Sequence, residues 1–448
     1  MTGSADSDRA PATPAPGLVA RTRRVDVDLD LVAVAGDCGA LWQQGRVGFA
    51  GRGEALRITV PAGDPAAAAA AVAHALGAIE VDDPLGLPGR GPVALGALPF
   101  DPTQAGELVV PRVLLGRADD GTRWITTVGS AGDDRLDPDR ALAQVVTELL
   151  AEQPPDGSAD GSAPGGAGGA ADVTGPGTFT VAAARPAQQW CDELEAARDE
   201  LRAGRARKVV LARELVVTTD LPLRRGDVLA QLRRAYPTNI LFADGGFVGA
   251  SPELLVARTG DRVRSHPMAG TAPRSADPST DARLAANLLA SAKDQVEHRY
   301  TIDMVHETLL PWCSYLDEEA EPSIVAMANV QHLATLVEGR LSSPPASVVE
   351  LMRALHPTPA VNGAPRAEAL ALIDQFEGLD RGRYAGPVGW VDRHGNGAWA
   401  VGIRSAELDG CRARVFAGVG VVADSNPAAE LAETRAKFQA LLGAIVRP

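Results

Sequence analysis

The stretch from Arg414 to Lys437 constrains the fold more than any other part of the chain, because it joins a strand pattern directly to a helix pattern. It begins as a Val-rich apolar run interrupted by Gly418 and Gly420, which predicts a buried strand with close backbone approach at the glycines. Asn426-Pro427 then marks a helix start, because Asn caps a first turn and proline fits a first helical position. We expect the helix to run to about Ile445.

Three charged side chains share one face of that predicted helix. Glu430, Glu433 and Lys437 are spaced i, i+3 and i+7, so they border the apolar stripe without joining it. On this stretch alone, the simplest interpretation is that the acids favour the helix dipole and that one of them forms an ordinary i,i+4 Glu–Lys pair. A dinucleotide-binding loop is excluded although residues 418–423 fit G-x-G-x-x-A. The helix begins after that motif, and no acidic residue follows at the ribose-binding distance.

Size and composition favour a soluble enzyme. The 448 residues are 45% hydrophobic and 22% charged, which is ordinary for a globular protein with a large core. A net charge of −14 argues against a general nucleic-acid or anionic-membrane surface. The four cysteines lie far apart without a CxxC pair, which indicates a reducing compartment and argues against a zinc site. With no signal-peptide core and no apolar run of about 18 residues, we expect a cytoplasmic protein without nucleic-acid or membrane partners.

Composition divides the chain into four segments. Residues 1–20 are rich in Ala, Pro, Ser and Asp and are predicted to be a disordered tail. Residues 21–153 mix strand and helix patterns and are predicted to form the N-terminal part of the fold. Residues 154–178 are predicted to be a low-complexity linker or surface loop, because they hold too few apolar side chains to order themselves. Residues 179–448 carry the densest signals and are predicted to be the catalytic core.

The predicted elements mix strands and helices without regular βαβ alternation. Strands are predicted over 24–34, 92–98, 123–128, 208–218, 246–257, 334–339, 386–391, 398–405 and 412–422. Helices are predicted over 65–79, 139–151, 186–203, 280–310 and 427–445. This arrangement predicts an α+β fold on antiparallel sheets.

Two candidate proton-transfer residues each admit two explanations. Glu253 follows Pro252 among apolar residues, so it is either a surface turn acid or a carboxyl that desolvation keeps protonated, and hence a general acid. Lys208 opens an apolar strand, either as a sheet-edge gatekeeper or as a base whose pKa is lowered by burial.

Further polar residues are also ambiguous. Glu297 shares a helix face with Asp294, normally a solvated arrangement, but with Glu433 from another helix it could hold Mg²⁺ through a few oxygen ligands and water. Arg404 ends a strand and suits a bidentate carboxylate clamp. His332 and His356 show no metal-ligand spacing and are individually more typical of structural histidines.

A series of motifs runs in order through residues 179–448. They are KVVLAR (208–213), SPELL (251–255), HPMAGT (266–271), SAKDQVEH (291–298), NVQHLATLVEG (329–339), HPTPAVNGAP (356–365), YAGPVGW (384–390), AVGIR (400–404) and FAGVGVVADSNPAAELAETRAK (416–437). This set resembles the chorismate-utilising enzymes, which include anthranilate synthase large subunits, aminodeoxychorismate synthases, salicylate synthases and isochorismate synthases. GALPFDP (96–102) extends the resemblance weakly toward the N-terminus.

Within that family, two features favour the members that form isochorismate. Lys208 stands where amine-transferring members usually carry Gln and water-using members carry this lysine as general base. The segment at 356–365 has the form found in isochorismate synthases. The resemblance implies sheets and helices layered around one buried active site, where water adds at C2 of chorismate and the C4 hydroxyl leaves. Salicylate synthase, which continues with pyruvate elimination, and a catalytically silent homologue are the alternatives.

The resemblance also implies roles for individual residues. Lys208 would activate water, Glu253 would protonate the departing hydroxyl, and Glu297 and Glu433 would bind Mg²⁺ with Glu430 near the metal water. The implied substrate-binding residues are Gly270, Thr271, His332, Tyr384, Arg404, Gly418, Gly420 and Lys437. We further expect chorismate as substrate, a monomer, no glutamine amidotransferase subunit, and a product that feeds menaquinone or siderophore biosynthesis.

Overall fold

The computed structural model describes residues 17–86, 89–152, 177–327 and 330–446. The segments predicted as a disordered tail (1–20) and as a low-complexity linker (154–178) lie almost entirely outside the described residues. The first strand begins at Leu18, inside the last residues assigned to the tail.

Strands and helices follow one another irregularly. The strands are β1 (Leu18–Arg24), β2 (Ala40–Gln44), β3 (Val47–Arg52), β4 (Leu56–Val60), β5 (Glu80–Asp82), β6 (Val93–Ala97), β7 (Gly106–Val110), β8 (Val113–Arg117), β9 (Arg123–Ser130), β10 (Phe179–Ala183), β11 (Lys208–Thr219), β12 (Ile240–Asp244), β13 (Phe247–Ser251), β14 (Leu254–Thr259), β15 (Arg262–His266), β16 (Met268–Pro273), β17 (Cys313–Glu318), β18 (Ser323–Ala326), β19 (Val330–Ala334), β20 (Val337–Leu341), β21 (Gly363–Ala364), β22 (Pro387–Asp392), β23 (Gly397–Val401), β24 (Ser405–Asp409) and β25 (Arg412–Val421). The α-helices are α1 (Leu31–Ala35), α2 (Pro65–Gly77), α3 (Pro138–Glu152), α4 (Ala187–Arg202), α5 (Arg225–Ala235), α6 (Pro278–Ala290), α7 (Ala292–Leu309), α8 (Val348–Leu355), α9 (Arg366–Phe376) and α10 (Pro427–Val446).

Two large sheets and one small sheet organise these strands. The first sheet has the order β10-β11-β25-β24-β13-β12-β2-β3-β8-β9-β1-β5, with β21 added beside β11. The second has the order β17-β20-β15-β14-β23-β22-β6-β7-β4, and the third has the order β16-β19-β18. Among the strand pairs of the described residues, β1–β5 alone is parallel. The predicted α+β fold on antiparallel sheets is confirmed.

The two large sheets interleave early and late parts of the chain. β2 pairs with β12, placing Gln44 opposite Ile240, and β6 pairs with β22, placing Gly96 opposite Gly389. Neither large sheet can be completed by residues 21–153 or by residues 179–448 alone, so the two segments form one body.

Helix α10 shows how the helices cover the sheets. Asn426 Oδ1 accepts hydrogen bonds from the two N–H groups that follow Pro427, which caps the first turn as predicted. Its apolar stripe, including Phe438, Leu441 and Ile445, is buried and packs with β25, α4 and α5. Burial of each such side chain contributes roughly 1.5–3 kcal/mol. This packing fixes the position of the helix face that carries Glu430, Glu433 and Lys437.

One predicted strand is wrong. Residues 24–34 alternate between apolar and charged side chains, but the strand lies upstream as β1, and Leu31–Ala35 forms the short helix α1. The Asp30 carboxylate accepts a hydrogen bond from the Val32 N–H and starts the helix, and Gly36, at φ 51°, ends it. The local capping signals therefore override the two-residue period.

Other predicted elements are divided by breaks. The strand predicted over 246–257 is two strands, because Pro252 has no N–H to donate to a ladder. The helix predicted over 280–310 is two helices that meet at Ser291, which ends α6 and caps α7. The strand predicted at 334–339 likewise spans the break between β19 and β20, and the strand predicted at 398–405 spans the break between β23 and β24. The remaining predicted elements are present within a few residues of their predicted bounds. None of the helices in the described ranges is long and apolar enough to cross a membrane.

Candidate active site

A cavity of about 310 Å³ lies where the three sheets approach one another. Its wall is built by β11 and β25, the β13–β14 junction, β16, β19, and helices α7 and α10. The lining residues are Lys208, Val210, Pro252, Glu253, Met268, Ala269, Gly270, Thr271, Lys293, Asp294, Glu297, His332, Ala360, Val361, Tyr384, Ile403, Arg404, Gly418, Gly420, Glu430, Glu433 and Lys437. Every residue that the sequence indicated for the site is in this set, so the fold brings them all together, while their individual roles stay predictions.

Two glycines of β25 make room for side chains beside the strand. Lys208, the first residue of β11, is only 6% exposed. A Cβ at Gly420 would come within 2.8 Å of Lys208 Cε. A Cβ at Gly418 would come within 3.0 Å of the Tyr384 hydroxyl oxygen. The close approach predicted at these glycines therefore involves an amine and a phenol.

Glu253 enters the cavity from the break between β13 and β14, where Pro252 interrupts the ladder. The Glu253 side chain is buried, and this burial raises its pKa to about 8. The nearby Lys208 charge, the Met268 N–H and the Arg404 charge lower that pKa only in part. The carboxyl is therefore protonated at neutral pH and able to donate a proton.

The same physical cause acts in the opposite sense on Lys208. Burial lowers the pKa of this amine, and the charge of Lys437 lowers it further, while Glu297, Glu253 and Glu433 oppose the shift. Desolvation thus favours the uncharged form of both Lys208 and Glu253. Burial therefore shifts both groups toward the protonation states that a paired base and acid require.

His332 on β19 is neutral and links two walls of the cavity. Burial lowers its pKa to about 3. Its Nδ1 donates to the Gly270 carbonyl oxygen at 3.2 Å, and the Thr271 hydroxyl lies 3.0 Å from the same nitrogen. The unprotonated Nε2 can then accept from Arg404 Nη2, which lies 3.4 Å away. The histidine therefore orients the Arg404 guanidinium at the cavity wall.

Backbone strain is concentrated at the same wall. Arg404 has φ 52° and Ala385 has φ 62°, and these are the non-glycine residues with positive φ among those described. Such conformations cost energy and cluster at functional sites. Burial raises the pKa of the neighbouring Tyr384 to about 12, so its hydroxyl is protonated at neutral pH. The wall therefore presents a guanidinium and a phenol that can both donate hydrogen bonds.

The charged face of α10 forms another part of the cavity wall. Lys437 Nζ lies 2.7 Å from Glu433 Oε1 and donates to the Gly418 carbonyl oxygen at 2.9 Å. Burial alone would raise the pKa of Glu433, but Lys437, together with the charges of Arg404 and Lys293, outweighs burial and the pKa is lowered. The pKa of Glu430 is raised by burial and by the Glu433 charge. If Glu430 and Glu433 were ordinary solvent-exposed acids of a helix, neither pKa shift would be expected.

The acidic residues of the cavity fit a metal that keeps part of its water shell. Among the residues that the structure describes, no three His, Cys, Asp or Glu side chains converge as a complete metal cage. Glu297 from α7 and Glu433 from α10 nevertheless line the same cavity, with Glu430 beside Glu433. Mg²⁺ is usually held by one or two carboxylates together with water and substrate oxygens, so this donor set suits it.

Sequence reasoning did not assign Lys293 and Asp294 to the site. Ser291 Oγ accepts from the Asp294 N–H, an S-x-x-D signal that marks the start of α7. Lys293 lies one turn before Glu297 on this helix, with its Nζ 4.0 Å from Glu297 Oε1. His356, by contrast, lies outside the cavity, where its Nε2 donates to the Phe100 carbonyl oxygen at 2.8 Å. It is a structural histidine, as expected.

The profile of the chorismate binding enzyme family matches residues 39–446. The chain belongs to this family. The putative isochorismate synthase MenF of Mycobacterium tuberculosis is 38% identical over 372 residues, covering 80% of this chain and 87% of that protein. Isochorismate synthase DhbC of Bacillus subtilis is 35% identical over 365 residues, covering 79% and 81%. Among solved structures, a putative 2,3-dihydroxybenzoate-specific isochorismate synthase, DhbC of Bacillus anthracis, has a TM-score of 0.73 at 29% identity and covers 93% of this chain and 98% of that chain.

Proposed function

We propose that this chorismate-binding enzyme is an isochorismate synthase, which converts chorismate to isochorismate by adding water at C2 and removing the C4 hydroxyl. The observation that carries the proposal is the pairing of Lys208 and Glu253 in one buried cavity, with both groups favoured in their uncharged forms. The relatives named isochorismate synthase support the same activity.

The proton transfers balance within this pair. The Lys208 amine takes a proton from water as the water oxygen bonds to C2 and the ring double bonds shift. Glu253 gives its proton to the C4 oxygen as the C4–O bond breaks, so one water enters and one leaves. Lys208 is left as an ammonium and Glu253 as a carboxylate. Each is favoured by the other's charge until a proton returns from the ammonium to the carboxylate.

The remaining polar groups of the cavity would hold a substrate with two carboxylates. Arg404 and Lys437 supply positive charge, and Tyr384 supplies a hydroxyl donor. His332 orients Arg404, while the Gly270–Thr271 segment and the backbone of Gly418 and Gly420 line the same space. Fixed donors in a closed site position the ring against the amine and the carboxyl without reorganisation.

We further propose Mg²⁺ as the cofactor, held by Glu297 and Glu433, with Glu430 near a metal-bound water. The bound ion would supply positive charge toward the ring carboxylate of the substrate. The crowding of Glu430 against Glu433, which raises the pKa of Glu430 together with burial, is the kind of repulsion that a divalent cation relieves.

The proposal extends to the setting in which the enzyme works. The enzyme would act in the cytoplasm as a monomer on free chorismate, without a glutamine amidotransferase subunit, because water and not ammonia is the nucleophile. Its product would feed menaquinone or siderophore biosynthesis, and similar proteins include the isochorismate synthase MenF of Bacillus subtilis and a vibriobactin-specific isochorismate synthase of Vibrio cholerae.

Product analysis tests the proposal. Purified enzyme incubated with chorismate and Mg²⁺ should form isochorismate, detected by chromatography, without fluorescence from salicylate and without release of pyruvate. Stoichiometric salicylate and pyruvate would instead establish a salicylate synthase. Failure to consume chorismate over a range of pH and Mg²⁺ concentrations would indicate a silent binding homologue.

A further inference from the structure

Lysine is confined to the cavity. The chain contains 43 lysine and arginine residues, of which only Lys208, Lys293 and Lys437 are lysines. All three line the same cavity, and among its described lining residues Arg404 is the one arginine. Everywhere else in the sequence the basic charge is a guanidinium. The proposed function gives roles to Lys208 and Lys437 but none to Lys293.

Helix stability does not explain why a lysine occupies position 293. It is the second residue of α7, where the helix dipole favours an acid over a cation. Its i,i+4 partner is Glu297, and Lys before Glu is the weaker order for such a pair. The Lys293 side chain is 59% exposed, and its Nζ lies 4.0 Å from Glu297 Oε1. An exposed pair at this distance stabilises the fold very little.

The charges that Lys293 faces belong to the proposed metal site. Besides Glu297 on its own helix, it acts on Glu430 and Glu433 of α10, where it is one of the cations that oppose burial in setting the carboxyl pKa values. Lys437 also neutralises this group, but its side chain is only 12% exposed and its ammonium is held by Glu433 and by the Gly418 carbonyl oxygen. Lys293 is exposed to solvent, and among the described residues its ammonium lies within 4.0 Å of one carboxylate, that of Glu297.

We propose that Lys293 is the exchangeable counter-ion of Glu297, Glu430 and Glu433: its ammonium neutralises them until a divalent cation binds, and it then turns out to solvent. The proposal rests on the proposed function, in which these carboxylates hold Mg²⁺. A lysine suits this task because its ammonium is a flexible point charge. A guanidinium would form bidentate bonds with the carboxylates and would not release them readily.

Binding of Mn²⁺, followed by electron paramagnetic resonance without substrate, tests the exchange. Lys293→Met should tighten Mn²⁺ binding about two- to five-fold, the range expected for losing an exposed competing ion pair. Lys293→Arg should weaken binding. The matched control is Arg299→Met, which removes one charge from the same helix, from an equally exposed side chain with its own i,i+4 partner, Asp303. The control should bind Mn²⁺ like the wild type.

The small number of lysines allows an independent measurement. Mild acetylation followed by peptide mass spectrometry should modify Lys293 faster when Mg²⁺ is present, because the ammonium has left the carboxylates. Unchanged Mn²⁺ affinity in Lys293→Met, equal tightening in Arg299→Met, or wild-type affinity in Lys293→Arg would each overturn the role of Lys293. If the wild type and Glu433→Gln bind Mn²⁺ equally poorly, the metal site itself fails, which is a different result.

Discussion

Replacing Glu253 by Gln should stabilise the protein at neutral pH while removing most of its activity. The carboxyl has an ordinary pKa of 4.5 when exposed and about 8 in the folded protein. Between these values the folded state holds a proton that the unfolded state has released. The contribution of Glu253 to the free energy of unfolding therefore falls as pH rises from 4.5 to 8 and changes no further above that range.

The magnitude follows from the size of the shift. Each unit of difference is worth about 1.36 kcal/mol, so at pH 7 the buried carboxyl costs roughly 3 kcal/mol. Glutamine is neutral in both states, and its amide oxygen can still accept the hydrogen bond from the Met268 N–H. The Glu253→Gln variant should gain roughly 3 kcal/mol at pH 7 and almost nothing at pH 4.5. Because it has no proton to give, its kcat should fall about 10²–10⁴-fold.

Urea unfolding at pH 5, 7 and 8.5, together with chorismate turnover at each pH, measures both effects. The control is Glu377→Gln, an equally buried carboxylate with the opposite role, since it accepts from Arg381 Nε at 2.6 Å and from the Ala212 N–H at 2.7 Å. Removing that charge leaves a buried guanidinium poorly paired and should destabilise the fold by about 3 kcal/mol. A Glu253→Gln protein less stable than wild type at pH 7, or one with wild-type kcat, would refute the reasoning.

Three other outcomes are expected. Lys208→Ala should lower kcat about 10²–10⁴-fold in a chorismate-consumption assay and leave Mn²⁺ binding unchanged; a normal rate would reduce Lys208 to a sheet-edge residue. Excess chelator should abolish turnover and added Mg²⁺ should restore it, while Glu433→Gln should raise both the Mg²⁺ requirement and the KM for chorismate. Full activity in chelator, or a normal Mg²⁺ requirement in that variant, would contradict the metal proposal. Replacing residues 154–177 with a short Gly/Ser linker should leave Tm and kcat nearly unchanged, and a large loss of either would mean that the segment packs on the fold.

Local signals in the sequence were sufficient where the structure depends on neighbouring residues. The strand, cap and helix around Asn426 were predicted because a Val-rich run, an Asn–Pro pair and an apolar stripe each act within a few residues. The break at Ser291 could have been found in the same way, since Ser291 and Asp294 form a recognisable capping pair. The prediction of one continuous helix over 280–310 does not take this capping pair into account.

The geometry of the site depended on contacts between distant parts of the chain. Spacing on a helix places Glu433 near Lys437, but it cannot place either beside Glu297, which reaches the cavity from another helix. The resemblance to a known family supplied that grouping. Nor could the sequence show that Lys208 and Glu253 are both buried, because burial is decided by how three sheets meet. Their shifted pKa values are therefore properties of the completed fold.

The pairing of β2 with β12 also has a consequence in time. The two strands are joined through Gln44 and Ile240, which are about 200 residues apart in the chain. At a synthesis rate of about 5–20 residues per second, the β2–β3 hairpin is synthesised roughly 10–40 s before its partner strand. During that interval Trp42, buried in the finished protein, has no Phe242 to pack against. During this delay the nascent chain has an unpaired strand edge and an exposed indole. Both favour aggregation, so this is the stage of synthesis at which chaperones matter most for this chain.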